Sequence, residues 1–398
     1  MSRVSTFGMQ NAAIAQLMAR QSEASRTQLQ LATGLKLNTA KDNPVAAGVA
    51  IAMQRAEAEY ERFGANANIL SNRLTLQENV LISANDIVGR LQELAVQANG
   101  GVLSQADREA LVPEIAQLRE ALFSIANSSD GQGRYLFGGT RDGSEPFSFA
   151  GGQIQYGGDQ TQRRIEVAPG VTVADSDPGH QVFLRIATGA NGVAARADAG
   201  NTGTATLTGS GFTNQAQWTG GSYQVRFDGG DYEVVDGGGT VVATGPFQPG
   251  QAIGFAGYQV TVQGEPADGD AFNVGPAARQ DIFTTIDRMI DTLRTPDTPQ
   301  ANKAAMQNGF YEAIENLSRA SEHFIDVRAA GGARMATLDR SADEREAQLL
   351  SVRSTLSEIR DLDYAEAISR LSREMATLEA AQLSYQRIQS LSLFQMMR

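Results

Sequence analysis

The sequence is poor in the residues that carry most protein chemistry. Its 398 residues include no cysteine and only two histidines. Without cysteine the chain has no disulfide, no thiolate nucleophile and no zinc–thiolate or iron–sulfur site. The histidines, His180 and His323, lie in different segments, and no catalytic motif surrounds either of them. We therefore predict no catalytic residue, no metal site and no cofactor.

Basic charge and long apolar runs are also scarce. Lys and Arg number 33 against 45 Asp and Glu, which gives a formal net charge of -12. No basic run supplies the clustered cations that nucleic-acid phosphates require, so the sequence argues against nucleic acid. The first ten residues, MSRVSTFGMQ, contain no apolar signal-peptide core, and no apolar run approaches the roughly 20 residues that span a bilayer. We expect no membrane insertion, and either a cytosolic location or export without a cleaved signal.

Composition divides the chain into two helical arms and a strand-rich middle. Up to about Ser129 the sequence is rich in Ala, Leu, Gln and Glu with helical periodicity. From about Gly131 to Gly275 it is rich in Gly, Thr, Val and Asp with apolar residues at alternate positions. From about Asp281 to the end it is helical again. This order predicts a mainly α fold with an inserted β domain.

The first arm contains one long heptad seam, in which apolar residues recur at alternating steps of three and four. The seam positions are Val49, Met53, Ala56, Tyr60, Phe63, Ala67, Leu70, Leu74, Gln77, Leu81, Ala84, Val88, Leu91 and Ala95. Only Gln77 among them is polar. Asn43 can cap this helix, Pro44 suits its first position, and Asn99 with the following glycines can end it. The pattern predicts a helix about 80 Å long.

Further helices are expected on both sides of the middle region. Ser104 with Asp107 three residues later resembles a capping box, which predicts a second helix. In the returning arm we predict helices from Asp281 to Leu293 and from about Asn302 onward. The predicted core positions are Leu111, Ile115, Leu118, Leu122 and Ile125 in the second helix, and Ile314, Leu317, Phe324, Ile325 and Leu338 in the returning arm.

The middle region alternates apolar and polar residues between glycine-rich turns, which predicts hairpins. In the first predicted hairpin, a turn over 157–160 joins a strand with Ile154 and Tyr156 to one with Ile165 and Val167. Two further strand patterns are Tyr223, Val225 and Phe227 before the Asp228–Asp231 turn with Tyr232 and Val234 after it, and Tyr258, Val260 and Val262.

Each end of the chain carries a thin amphipathic stripe. Leucine and tyrosine fall seven residues apart near the C-terminus, and the N-terminal stripe is interrupted by glutamines. Neither stripe is apolar enough to fold firmly alone, so we expect the C-terminal one to be mostly solvated in a monomer. In a polymer we expect it to be buried against Leu17, Ala24 and Leu31 or against the helix of a neighbouring subunit. The candidate interface residues are Ile14, Leu17, Ala24, Leu31, Tyr364, Ile368, Leu371, Met375, Leu378, Tyr385, Leu391, Leu393 and Phe394.

Several motifs resemble the flagellins. The segments are Leu29–Gly34 (LQLATG), Asp42–Ala47 (DNPVAA) and Leu94–Ala98 (LAVQA) in the first arm, and Leu362–Ile368 (LDYAEAI) and Leu391–Phe394 (LSLF) near the end. Gly133–Gly139 (GRYLFGG) and the tail from Leu378 to Phe394 resemble the hook-associated branch of the family more than the filament subunits. The resemblance covers roughly the first 140 and last 120 residues and leaves 182–274 without a detailed counterpart.

The resemblance implies a long antiparallel helical bundle, formed by the N- and C-terminal arms, with a central β-rich outer domain. The predicted division is 1–43 for an N-terminal polymerisation helix and spoke, 44–140 for one half of a helical rod domain, 141–181 for a β-hairpin region, 182–275 for the outer domain, 276–355 for the other half of the rod, and 356–398 for a C-terminal polymerisation helix.

It also implies a function. Members of the hook-associated branch join the hook side of a bacterial flagellum to its filament by packing their terminal helices. The expected partners are further copies of the chain in a helical ring, flagellin, a hook-side hook-associated protein and an export chaperone at the C-terminal segment. The expected location is the extracellular flagellum, reached by type III export.

Other interpretations remain open at this point. The chain could be a filament flagellin, or a soluble enzyme or adhesin that uses its β domain. Asp228–Asp231 and Asp268–Asp270 could bind calcium, but they lack the spacing of an EF-hand and fit turns better. Gly131 and Gly133 could begin a dinucleotide-binding fingerprint, G-x-G-x-x-G, but its third glycine would fall at position 136, which is Leu136. The terminal stripes could also form an intramolecular core in a monomeric bundle.

Overall fold

The computed structural model describes residues 6–100, 103–151 and 153–396, with side chains described from 11 to 387. The chain divides into two compact units. The terminal unit comprises the chain up to Ala65 and from Arg340 onward, and the central unit comprises Asn66–Asp339. These limits differ from the predicted ones at 43 and 356.

Helices form both arms. They are α1 (Thr6–Thr33), α2 (Pro44–Asn99), α3 (Gln105–Ala126), α4 (Gly179–Phe183), α5 (Ile282–Leu293), α6 (Gln300–Arg360) and α7 (Tyr364–Met396). Helices α2 and α6 each contribute residues to both units.

The predicted helix starts are confirmed by the capping contacts. The Asn43 side chain accepts a hydrogen bond from the amide of Ala46 at 3.1 Å, just ahead of Pro44. Ser104 and Asp107 form a reciprocal capping box at the start of α3. Asp281 caps α5 by accepting from the Thr284 amide. Each contact satisfies a backbone donor that lacks a partner within its own helix.

The heptad seam of α2 is confirmed through the central unit. Every seam position from Ala67 to Ala95 is buried, including the polar Gln77. From Leu81 to Ala95 the seam packs in a core that α3, α4, α5 and the first half of α6 complete, and in which Ile115, Leu122, Leu317 and Phe324 are wholly buried. From Ala67 to Leu74 it packs in a smaller cluster with Val167, Val173 and Leu338. The prediction is wrong for Ile325, which is half exposed because it follows Phe324 on the helix and turns about 100° away from the core.

Strands occupy the region between α3 and α5. They are β1 (Phe147–Ala150), β2 (Gln153–Tyr156), β3 (Arg164–Ala168), β4 (Val171–Ala174), β5 (Ile186–Ala187), β6 (Val193–Ala197), β7 (Thr206–Phe212), β8 (Tyr223–Asp228), β9 (Asp231–Asp236), β10 (Val241–Pro246), β11 (Ala252–Phe255), β12 (Tyr258–Gln263), β13 (Ala271–Pro276) and β14 (Arg279–Gln280). In the described chain they form an antiparallel five-stranded sheet, β10-β9-β8-β13-β6, a three-stranded sheet, β11-β12-β7, and the pairs β1-β2, β3-β4 and β5-β14.

The strand patterns are confirmed, but one predicted pairing is wrong. Ile154 and Tyr156 pair with the preceding strand β1, whereas Ile165 and Val167 pair with the following strand β4. The segment 157–160 therefore connects two hairpins, because its glycines fit a connection as readily as a tight turn. The predicted hairpin around Gly229 and Gly230 is present as β8-β9, and both glycines have positive φ.

The two larger sheets enclose a separate β core from Val193 to Val274. Val182, which lies at the predicted start of the outer domain, is instead buried in the helical core together with Phe183. The side chain of Asn308 on α6 connects the two cores. It accepts a hydrogen bond from the Leu207 amide at 2.7 Å and donates one to the Ala205 carbonyl at 3.1 Å.

Gln77 is satisfied by a specific polar contact. Its amide group donates to Asp177 Oδ2 and accepts from the Asp177 backbone N–H, both at 2.8 Å. Arg334 on α6 approaches the same carboxylate at 2.7 and 2.9 Å. One turn earlier on α2, Arg73 bonds Asp175 at 3.0 Å. This buried cluster joins α2, α6 and the segment after β4 without leaving these polar groups unpaired.

Candidate assembly surface on the terminal helices

In the terminal unit, two backbone hydrogen bonds link the segment just after α1 to the segment just before α7. The Leu362 amide donates to the Gly34 carbonyl at 3.0 Å, and the Lys36 amide donates to the Arg360 carbonyl at 2.7 Å. Leu35 and Asp361 form an antiparallel β-bridge between them. The end of α1 and the start of α7 are therefore fixed side by side.

Gly34 is required at this junction by its geometry. Its φ of 71° lies in the left-handed region, and a Cβ placed on it would lie 2.8 Å from Tyr364 Oη. Its amide donates to the Gln30 carbonyl at 2.8 Å, which ends α1 in the manner of a glycine cap. The glycine that closes the LQLATG motif thus ends one helix and allows the other to approach.

The facing sides of α1 and α7 pack together, and we call them the inner seam. On α1 the buried residues of this seam are Ala24, Thr27 and Gln30. On α7 its residues are Ala367, which is buried, and Leu371, Leu378 and Tyr385, which are half-buried.

This packing differs from the expectation that the C-terminal stripe is mostly solvated in a single chain. Three of its seven-residue positions are already half covered by α1 of the same chain. The buried α1 residues are small or polar, so the apolar area that they contribute is modest.

A second apolar stripe on α7 stays exposed. It consists of Tyr364, Ile368 and Met375, whose exposed fractions are 54%, 55% and 49%, and we call it the outer stripe. Its residues lie about 60–100° around the helix from Ala367. On α1, Ile14, Met18 and Leu29 are also exposed.

The structure separates the predicted interface residues into three groups. Leu17, Ala24, Leu31, Leu371, Leu378 and Tyr385 are buried or half-buried, Ile14, Tyr364, Ile368 and Met375 are exposed, and Leu391, Leu393 and Phe394 lie on α7 beyond the described side chains. Sequence reasoning missed Thr27 and Gln30 because an apolar pattern gives no weight to polar residues. It missed Ala367 because the larger Ile368 next to it fits the intervening position of the repeat. The steps from Leu17 to Ala24 and from Ala24 to Leu31 would have located Thr27 within the same seam.

A polar groove of about 470 Å³ lies beside the inner seam. It is lined by residues of α1, α2, α6 and α7 and of the segment 34–43 between α1 and α2, which we call the spoke. Asp42 organises its spoke side by accepting hydrogen bonds from the amides of Thr39 at 2.8 Å and Asn38 at 3.2 Å. Arg26 approaches the same carboxylate at 3.1 Å. The Thr39 amide is the main cause of a lowered pKa for Asp42, aided by Arg26, while partial desolvation opposes them.

The aspartate–glycine segments serve as turns. Asp270 is buried, and its carboxylate accepts hydrogen bonds from the amides of Thr202, Gly203 and Ala267. Asp268 accepts from an amide in the β8–β9 turn at 2.9 Å. Over the part of the chain that the structure describes, no group of three or more His, Asp or Glu side chains is placed to hold a metal ion.

No described helix is both long enough and apolar enough to cross a membrane.

Comparison with known proteins defines the class. The sequence-family model of the bacterial flagellin N-terminal helical region matches residues 4–142. The family model of the D2-like domain of flagellar hook-associated protein 1 matches residues 196–276. The chain thus carries a flagellin-type helical arm and a hook-associated type of β domain.

The particular family follows from solved structures. FlgL of Xanthomonas campestris is 43% identical, with a TM-score of 0.69, and the match covers 76% of this chain and 99% of that one. The flagellar junction protein FlgL of Legionella pneumophila is 30% identical, with a TM-score of 0.70, over 79% of this chain and 100% of that one. The chain belongs to the FlgL family.

A curated relative agrees. Flagellar hook-associated protein 3 of Salmonella typhimurium is 28% identical over 188 residues, which are 47% of this chain and 59% of the relative. The chain therefore matches somewhat less than two thirds of that relative's length.

Proposed function

We propose that this chain is the structural subunit of the bacterial hook–filament junction and that its terminal helices join neighbouring subunits. Membership of the FlgL family supports the location, since relatives carry the names flagellar junction protein and hook-associated protein. The proposed place is the extracellular flagellum, reached by type III export without a cleaved signal. The proposed function requires no catalysis.

The outer stripe of α7 is the observation that carries this proposal. Ile368 and Met375 stay about half exposed although the inner seam of the same helix is already covered by α1. Fully burying a side chain of this size is worth about 1.5–3 kcal/mol, so covering the stripe would stabilise a helix pair whose own seam is small and polar. A stripe of this kind favours a structure that is completed by another chain.

The proposed occupant of the outer stripe is the terminal helix pair of a second copy. Exposed apolar side chains on α1, including Met18 and Leu29, offer a complementary surface on the same unit. Contact between different faces of identical subunits is heterologous, and repetition by a screw operation gives a helical ring or tube. Residues 1–43 and 356–398 would then be the polymerisation segments, and the central unit would supply the rod and outer domain.

The wider partners follow from the proposed position in the flagellum. Flagellin would bind on the filament side and another hook-associated protein on the hook side. An export chaperone would cover the C-terminal segment, including Leu391, Leu393 and Phe394, before assembly. Such shielding would prevent premature association of the apolar stripe.

The test compares two substitutions on opposite faces of α7. Met375 lies on the outer stripe, while the exposed Thr377 lies about 200° around the helix. Each gene variant is introduced into a strain from which the native gene is deleted. The deletion strain should retain hooks, lack filaments and release unassembled flagellin.

Met375→Asp should fail to restore filaments while the purified monomer melts at the wild-type temperature, because the carboxylate would be forced into a contact that exists only in the assembly. Thr377→Asp should restore them. Normal filaments with Met375→Asp would remove the outer stripe from the interface. The number of copies per flagellum distinguishes a junction subunit from the alternative, a filament flagellin. A flagellin would form the long polymer, whereas a junction subunit would form only a short ring.

A further inference from the structure

The structure brings basic side chains from three distant segments to one cavity in the central unit. The cavity has a volume of about 270 Å³ and is lined by Asp177, Gln181, Arg185, Arg279, His323 and Val327. Arg185 follows α4, Arg279 begins β14, and His323 lies on α6. These residues are far apart in sequence, so no motif predicts their proximity.

Two contacts orient two of the three basic side chains. Arg279 Nη1 donates a hydrogen bond to the Arg185 carbonyl at 3.0 Å, across the short β5-β14 pair. His323 Nε2 lies 2.9 Å from the Gln181 carbonyl oxygen. A carbonyl can only accept, so Nε2 carries the hydrogen in this contact. The histidine ring and one guanidinium are thus oriented by backbone acceptors before any ligand arrives.

The positive charge of this cavity is not neutralised from within. Asp177 is the acidic lining residue, but its carboxylate is already bound by Arg334 at 2.7 and 2.9 Å. Neither Arg185 nor Arg279 has a carboxylate partner in the described residues. Burial, and secondarily the charge of Arg185, lowers the pKa of the nearby His180, as expected beside an unpaired cation.

Two other arginines of the central unit contrast with this pair. Arg73 and Arg119 are nearly buried and bind carboxylates at 3.0 and 2.7 Å. An exposed, unpaired arginine alone is an ordinary solvated surface residue. Here two of them line one concavity of a chain whose formal net charge is -12. Guanidinium groups match the geometry of planar and tetrahedral oxyanions.

We propose that the cavity between α4, β14 and α6 binds an oxyanion, either a carboxylate or a phosphate, through Arg185 and Arg279. The carboxylate could be an acidic side chain of a second copy of this acidic chain, and the phosphate a free ion. Both present the same chemistry to the two guanidinium groups. The proposal is independent of the terminal-helix interface because every residue that it uses lies in the central unit.

Calorimetric titration of the full chain with inorganic phosphate, against chloride at equal ionic strength, tests the site. We expect saturable binding to the wild type, weakened at least about tenfold in Arg185→Ala/Arg279→Ala because two charge-assisted hydrogen bonds are lost. Arg226→Ala removes another exposed arginine of the same unit and should leave binding unchanged. Arg185→Lys/Arg279→Lys should restore part of the affinity while keeping the charge.

Sedimentation of the concentrated chain with and without phosphate distinguishes the two sources. If a second copy supplies the carboxylate, phosphate and the double alanine variant should both weaken self-association, and Arg226→Ala should not. If a free ion is the ligand, phosphate should bind without changing self-association. The proposal is overturned if wild-type phosphate binding is not saturable and self-association is insensitive, or if Arg226→Ala weakens binding as much as the double variant.

Discussion

The two helical seams of this chain are built from different side chains. In the central unit the α2 seam buries large aliphatic residues such as Leu70 and Leu81 completely. In the terminal unit the most buried inner-seam residues are Ala24, Thr27 and Ala367. Stabilisation rises with the apolar area removed from water, so the central seam can maintain a fold alone, whereas the terminal seam gains much less. The difference teaches that equal heptad spacing can bury very different amounts of apolar area in two regions of one chain.

The largest expected difference between the two seams is the loss of monomer stability when a charged residue is placed in each of them. Leu70→Asp should abolish the cooperative thermal transition of the central unit, because it removes a wholly buried leucine and inserts an unpaired carboxylate. Leu371→Asp, at a half-buried inner-seam position, should lower the monomer's melting temperature only slightly while still preventing incorporation into flagella. Calorimetry of both purified variants measures this difference. Equal destabilisation would show that the terminal seam is as strong as the central one.

A second pair of substitutions compares one buried glutamine of each unit. Gln77→Leu should lower the free energy of unfolding by about 1–3 kcal/mol, because it leaves the buried Asp177 amide without an acceptor. Gln30→Leu removes a bond to the carbonyl of the exposed Lys36, which can bind water instead. It should therefore change stability much less. Urea unfolding gives both values, and a larger loss for Gln30→Leu would contradict the comparison.

A third prediction concerns the junction of α1 and α7. Gly34→Ala should weaken the terminal pair by about 1–2 kcal/mol, because alanine is strained in the left-handed region and its Cβ would crowd Tyr364 Oη. Hydrogen exchange at the Leu362 amide should become faster. Adding Tyr364→Phe to Gly34→Ala removes the hydroxyl. The double variant should recover only the part of the lost stability that is due to crowding against Tyr364 Oη. Unchanged exchange in Gly34→Ala would show that the junction tolerates a side chain.

The smallest effect should come from the spoke. Because the folded-state pKa of Asp42 is lowered, its stabilising contribution is present above its unfolded pKa and is lost as the pH falls through the lower folded value. Near neutral pH, the Thr39 amide should therefore be better protected from hydrogen exchange in the wild type than in Asp42→Asn. The two should converge at a pH below the ordinary aspartate range of about 3.9. A difference that persists in acid would exclude the charge as its cause.

Much of the helical architecture could be predicted from the sequence because its signals are local. Asn43, Ser104 and Asp281 each cap the helix that their neighbours predict. The α2 seam is also visible, since large apolar residues recur over many turns. The pairing of Ile154 with β1 was missed because glycine-rich connections do not specify which strands pair. Ile325 was missed because adjacent apolar residues leave the choice of buried face open.

The candidate sites were less accessible to sequence reasoning. Periodicity identified Leu371 and Ile368 together, but only the packing of α1 places one inside the pair and leaves the other exposed. The cavity with Arg185, Arg279 and His323 depends on tertiary proximity of segments that share no pattern. Sites of this kind follow from the fold and not from any local motif.

The Gln77–Asp177 contact has a consequence for the sliding of helices. A seam that repeats every seven residues still meets apolar neighbours after a shift of one heptad, so apolar packing alone does not fix axial position. Such a shift would bring Leu70 or Ala84 opposite Asp177 and leave its amide unpaired in a dry interior. Gln77 therefore favours one axial position of α2 over the positions that are shifted by a heptad. A slip of one heptad would thus carry a free-energy cost that an entirely apolar seam would not have.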